Sequence, residues 1–152
     1  MTLPSAGLLR RLGAVLYDSL LLIAVLFGAA ALFLAVTVPF TDLESSIGSQ
    51  HPLYHVFQVY LLLVVYGYFA HFWRRGYTPG MRTWKLRVVR TDGHNITALD
   101  ALIRMLVAGL SFGAVGLGYA WALINRDGLT WQDLASKTRV ILDPELVTAK
   151  NK

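Results

Sequence analysis

Leu12 to Val38 is an apolar run long enough to cross a bilayer, and it fixes what the rest of the chain can become. A hydrocarbon core ~30 Å thick takes roughly 20 helical residues. Lipid offers no partner to backbone amides, so a helix, which pairs them within the segment, is the form this run must take. Leu53 to Trp73 has the same character and length, and a third apolar block covers Ala101 to Ile124. The apolar share of 55% and mean hydropathy of +0.51 exceed what a soluble domain of 152 residues can hide in a core. The expected fold is an all-α membrane protein forming a single domain over residues 1–152. It has two spanning helices, a third Gly-rich hydrophobic segment and a small basic strand-turn segment.

Arg10-Arg11 ahead of an apolar stretch, with Ala29-Ala30-Ala31 beyond, has the outline of a secretory signal. The run continues past those alanines and contains Asp18, so an uncleaved helix is expected. The chain has no cysteine, which excludes disulfides, thiolate metal sites and cysteine nucleophiles.

The placement of charge matters more than its net value of +5. The Pro39–Pro52 loop holds Asp42 and Glu44 and no Lys or Arg, whereas Arg74, Arg75, Arg82, Lys85, Arg87, Arg90 and Arg104 follow the second apolar run. The positive-inside rule then puts the N-terminus and the second loop in the cytoplasm and the first loop outside. Such a basic loop directly after a membrane helix is read as an orientation signal touching membrane lipids, not as a nucleic-acid surface. Tyr66, Tyr68, Phe69, Phe72 and Trp73 before Arg74-Arg75 form an interfacial aromatic belt.

Gly109, Gly113, Gly116 and Gly118 interrupt the third block, and two paths remain open for it. A single span would leave Arg126, Lys137 and Arg139 outside, against the charge rule. A re-entrant pair of half-helices would keep every basic segment inside, provided protein covers its backbone. Thr78-Pro79-Gly80 signals a turn, and the alternation of Trp84, Leu86 and Val88 with Lys85 and Arg87 reads as a strand. Asp92-Gly93 suits a tight reversal, and Thr97 with Asp100 makes a capping box before Leu99, Leu102, Ile103, Leu106, Val107 and Leu110 at helical spacing. Asp100 and Arg104, four apart, can pair. Thr130 to Asp133 resembles a further cap, and Thr138 to Leu142 a second strand, which can meet the first only if the block is re-entrant. No internal repeat stands out.

Asp18 is the residue with the most to explain, because an aspartate at a helix centre costs ~2.5–3.5 kcal/mol to insert. Arg11 lies on the same face but about 10 Å away along the axis, so the partner is sought on another element. Arg104, Arg126 and Lys137 are the candidates. The histidines at 51, 55, 71 and 94 match no metal spacing, and Ser5, Ser19 and Ser111 have no adjacent base. No metal, cofactor or enzyme activity is expected.

Ala6-Gly7-Leu8-Leu9-Arg10-Arg11-Leu12 leading to Tyr17-Asp18 resembles the opening of the RDD family of bacterial membrane proteins. Gly76 to Val89 looks like that family's middle segment, and Asn125 to Thr138 like its closing motif. The resemblance covers nearly the whole chain and implies a multi-pass protein of the bacterial inner membrane. It gives Arg11, Asp18 and Asp133 the places of the arginine and two aspartates that name the family. Met81 replaces a common lysine and Gln132 a common histidine. Cation/proton antiport, proposed for some members, makes the leading expectation an Arg11–Asp18–Asp133 polar network that moves cations and protons or holds helices together. With so few helices, transport would require a homo-oligomer. The alternative is a non-catalytic accessory protein that binds a membrane partner, with Gly109 and Gly113 as a small-xxx-small surface.

Overall fold

A computed structural model describes residues 5–42, 44 and 51–143. The loop expected around Ser45 to Ser49 lies outside them. The protein is mostly helical. Helix α1 spans Leu8–Thr37 and α2 spans Pro52–Arg74. At 1.5 Å per residue they run about 45 Å and 35 Å, and both are apolar enough to cross a membrane. Helix α3 (Pro79–Thr83), strand β1 (Leu86–Arg90), helices α4 (Ala98–Gly113), α5 (Leu117–Ile124) and α6 (Trp131–Ala135) and strand β2 (Thr138–Leu142) follow.

The chain divides into two compact units. Residues 19–68 hold most of the two long helices, where Phe33 packs against Phe57 (4.9 Å between centroids) and Tyr60 (5.6 Å). Residues 1–18 and 69–152 form the other unit, and its described part contains the candidate site.

In that second unit β1 and β2 pair antiparallel, from Leu86 opposite Leu142 to Arg90 opposite Thr138. Ser5 bridges Ile141, and the Ala6 amide donates to the Val140 carbonyl (2.8 Å). The N-terminal segment, the chain entering the third block and the chain leaving it are thus hydrogen-bonded neighbours. Segments bonded in one sheet lie on one side of a membrane, which favours the re-entrant path for the third block over a single span. Helices α4 and α5 meet at a 96° bend, made where Gly116 takes φ 78° and Val115 φ 54°. Val115 sits at the tip, 95% exposed. A side chain on Gly118 would strike Ser111 and come within 3.0 Å of Trp131, so glycine lets α5 fold back against α4 and α6.

Helix α4 is turned inside out relative to a helix in water. It buries Asp100, Ala101, Arg104 and Ser111, while Leu99, Leu106 and Leu110 face outward. The apolar periodicity is present as expected, but it marks the exposed side. Asp100 and Arg104 do not pair with each other. Asp100 closes the Thr97 capping box and takes Arg90 at 2.7 Å, and Arg104 turns into the core.

The first strand begins later than the alternation suggests. Thr78 accepts from the Met81 amide (3.1 Å) and caps α3, which has Pro79 in its first turn. Trp84 ends that helix and is exposed. A repeat invisible to plain reading also emerges. Thr78 and Thr130 cap short helices at the same extended angles, Lys85 and Lys137 follow with φ 57° and 51°, and a five-residue strand comes next in both. The two strands pair about a local two-fold that passes between the equivalent residues Val88 and Val140. The Asp143 amide donates to Lys85 (2.9 Å) as the Thr91 amide donates to Lys137 (3.0 Å). The shared Thr, Lys-x-Arg-Val pattern is too sparse to signal this without backbone angles.

Candidate functional site

Arg11, on the first turn of α1, faces inward because the Ser5–Ala6 segment pins the start of that helix to β2. Its Nε donates to the Ala6 carbonyl (2.9 Å), Nη2 to the Val140 carbonyl (3.2 Å) and Nη1 to Asp133 Oδ2 (2.5 Å). From α4, Arg104 Nη1 donates to Asp133 Oδ1 (2.9 Å) and to the Thr138 hydroxyl. The Arg104 guanidinium also lies over the Trp73 ring at 5.2 Å, a cation–π contact. Asp133 completes its set by accepting from the Thr130 amide (3.2 Å), so the carboxylate caps α6 and bridges two arginines at once. Exposures of 4% for Arg11, 2% for Arg104 and 1% for Asp133 place the group away from solvent.

Burial by itself raises the Asp133 carboxyl, but the flanking Arg104 and Arg11 charges outweigh it and hold the group below the ordinary carboxylate value. Asp133 is therefore an anion at neutral pH, with two cations for company. Buried ion pairs add little net stability over apolar packing, yet losing one partner is expensive. The triad joins α1, α4, α6 and β2, elements distant in sequence, and permits them one mutual arrangement.

Asp18, two turns on from Arg11, is 5% exposed and lies on the same face together with Ala14. Its carboxylate receives the Thr78 hydroxyl and the Gly80 amide (2.8 Å), which joins α1 to the start of α3. Gly80 is required for this approach: a Cβ there would strike the Ala14 carbonyl and reach Asp18 Cγ at 2.8 Å.

Of the expected network, Arg11 and Asp133 meet directly, while Asp18 belongs to the neighbouring Thr78–Gly80 cap. Arg104, expected as a candidate partner for Asp18, is instead engaged by Asp133. Arg126 and Lys137 are exposed, and the Lys137 carbonyl serves Thr91. Thr78, Gly80 and Thr138 are members that sequence reasoning missed. A hydroxyl or glycine in a turn carries no mark of a carboxylate sixty positions away. Among the described residues no three His, Cys, Asp or Glu side chains gather as a metal site.

Comparison with known proteins agrees with this arrangement of motifs. The RDD family matches residues 5–137. An uncharacterized protein of Bacillus subtilis (strain 168), YckC, is 30% identical over 140 residues, which cover 89% of this chain and 83% of that protein. No solved structure matches.

Proposed function

The chain belongs to the RDD family, and from that premise we propose a non-catalytic, multi-pass protein of the bacterial plasma membrane. In this reading the Arg11–Asp133–Arg104 triad is a fastener. It holds the re-entrant hairpin against α1 so that the outward apolar face of α4 can receive a membrane partner or another copy. The supporting observation is the state of Asp133: three donors occupy its carboxylate, and two guanidiniums hold it ionised. A proton carrier must exchange its proton near working pH, and a carboxyl held below its ordinary value has none to give at neutrality. Gly109 and Gly113 meet nothing among the described residues, which leaves room for close helix approach.

Proteoliposomes of the full chain test the fastener against transport. No cation-dependent proton flux above empty vesicles is expected; flux abolished by Asp133→Asn would overturn the reading.

Orientation follows from charge. Every Lys and Arg of the described residues belongs to segments 5–18 or 74–143, and the stretch between the two long helices carries Asp42 and Glu44. By the charge rule the basic side is cytoplasmic. Reporter fusions before Met1 and after Lys152 are each expected to report the cytoplasm. A periplasmic signal from either one contradicts the proposal.

A further inference from the structure

Where α2 ends, the chain folds a small cleft of about 140 Å³ between the helix terminus, the start of β1 and the 93–96 turn. Its wall carries Trp73, Arg74, Arg75, Arg87, Arg90 and His94 and no acidic side chain. Two of these side chains are already engaged. Arg90 is held by Asp92 (2.9 Å) and Asp100 (2.7 Å), and His94 lies 3.5 Å from Asp92. Arg74, Arg75 and Arg87 make no ion pair among the described residues. Three arginines on the wall of one cleft, with no ion pair among the described residues to offset them, favour an anion there. Trp73 contributes to the same wall, and its buried indole N–H has no hydrogen-bond partner among the described residues.

Backbone geometry builds the cleft rather than leaving it to chance. Gly76 takes φ 90°, and a Cβ there would press on Arg87 Nε at 3.2 Å. Its carbonyl accepts from the Val88 amide (2.6 Å), which ties the end of α2 to β1 and fixes Arg87 beside Arg74 and Arg75.

The size and position of the cleft restrict the ligand. Clefts that hold drug-sized molecules measure about 300–1,000 Å³, so this one has room for a compact anion and little more. Guanidinium groups match phosphate oxygens with paired donors. The cleft also opens at the end of a spanning helix, next to an aromatic belt, at the depth of lipid headgroups.

We propose that Arg74, Arg75 and Arg87 form a site for a single phosphate group, carried by an anionic phospholipid or free in solution. The site goes beyond the fastener reading and depends on neither the triad nor the orientation.

Calorimetric titration of the full chain in a non-ionic detergent tests it. The probes are dihexanoyl-phosphatidylglycerol, inorganic phosphate and dihexanoyl-phosphatidylcholine, whose choline cation the arginines should repel. Saturable binding of the phosphatidylglycerol is expected, at least tenfold tighter than of the phosphatidylcholine. If inorganic phosphate binds equally tightly, the free anion is the ligand; if it does not, the lipid is. Arg74→Gln/Arg87→Gln should weaken the preferred probe at least tenfold with the thermal midpoint unchanged. Arg82→Gln, an exposed arginine outside the cleft stacked on Tyr77, should change it less than twofold. Equal affinity for the glycerol and choline lipids, an Arg82→Gln loss as large as the double variant's, or no saturable binding of any probe would overturn the proposal. Should the double variant misfold, Arg87→Lys, which keeps the charge but loses the paired donors, is expected to weaken binding several-fold, and an unchanged affinity would count against the site.

Discussion

Asp133→Leu is expected to cost about 3–5 kcal/mol of stability, because it leaves the two guanidiniums of Arg11 and Arg104 buried without their shared anion. The leucine approximates the lost volume, so packing accounts for little of the effect. Converting the whole group to apolar residues (Arg11→Met, Asp133→Leu and Arg104→Met together) should recover most of the loss, since a buried ionic group replaced as a unit is often neutral or stabilising. Chemical denaturation in mild detergent measures both variants. A single variant as stable as the parent would mean that the triad fastens nothing.

The same pair of proteins gives a pH test with a definite sign. The folded value of the Asp133 carboxyl is below the ordinary one, and the unfolded value is about 3.9. Its contribution is therefore fully present above pH ~4 and fades as pH falls through the lower, folded value. The difference in stability between parent and Asp133→Leu should stay constant from pH 8 to 5 and shrink only in stronger acid. A difference that already declines between pH 7 and 5 would show a carboxyl titrating near neutrality and would revive proton transfer.

Gly80→Ala should destabilise by about 1–3 kcal/mol, the range for forcing a methyl into a packed contact. Helix propensity alone points the other way, since alanine is better than glycine in a helix by about 1 kcal/mol. The direction is set by the Ala14 carbonyl and the Asp18 carboxylate, which occupy the space the methyl would need. Displacing Gly80 would also withdraw its amide from Asp18, so Gly80→Ala and Asp18→Asn should combine with less than additive loss. A raised thermal midpoint for Gly80→Ala would show that the close approach of α1 and α3 is absent in the working protein.

Features set by neighbours in sequence were readable in advance. Both spanning runs, the Thr97–Asp100 capping box and the exact extent of β2 depend on hydrophobic length, a four-residue pattern or a local alternation. Trp84 misled because its alternation with Leu86 and Val88 continues across the junction of α3 and β1, where period alone cannot separate a helix cap from a strand. The α4 stripe showed a face but not which solvent meets it. Partner choice was the least legible. Asp18 reaches Thr78 across sixty positions and Arg104 reaches Asp133 across twenty-nine, and nothing local ranks one cation above another. The re-entrant path could be argued from charge, and the pairing of β1 with β2 supports it.

Arg11 and Asp133 stand 122 positions apart, and this separation sets a timetable for biogenesis. At ~5–20 residues per second, a ribosome needs roughly 6–24 s to deliver the aspartate after the arginine. Throughout that interval the Arg11 guanidinium lacks its counter-charge and has only the local Ala6 carbonyl, water or lipid phosphate to turn to. Ser5 and Ala6 wait as long for β2. The triad can therefore close only after residue 133 has emerged, and a nascent chain halted before that strand emerges should be a ready substrate for membrane quality-control proteases.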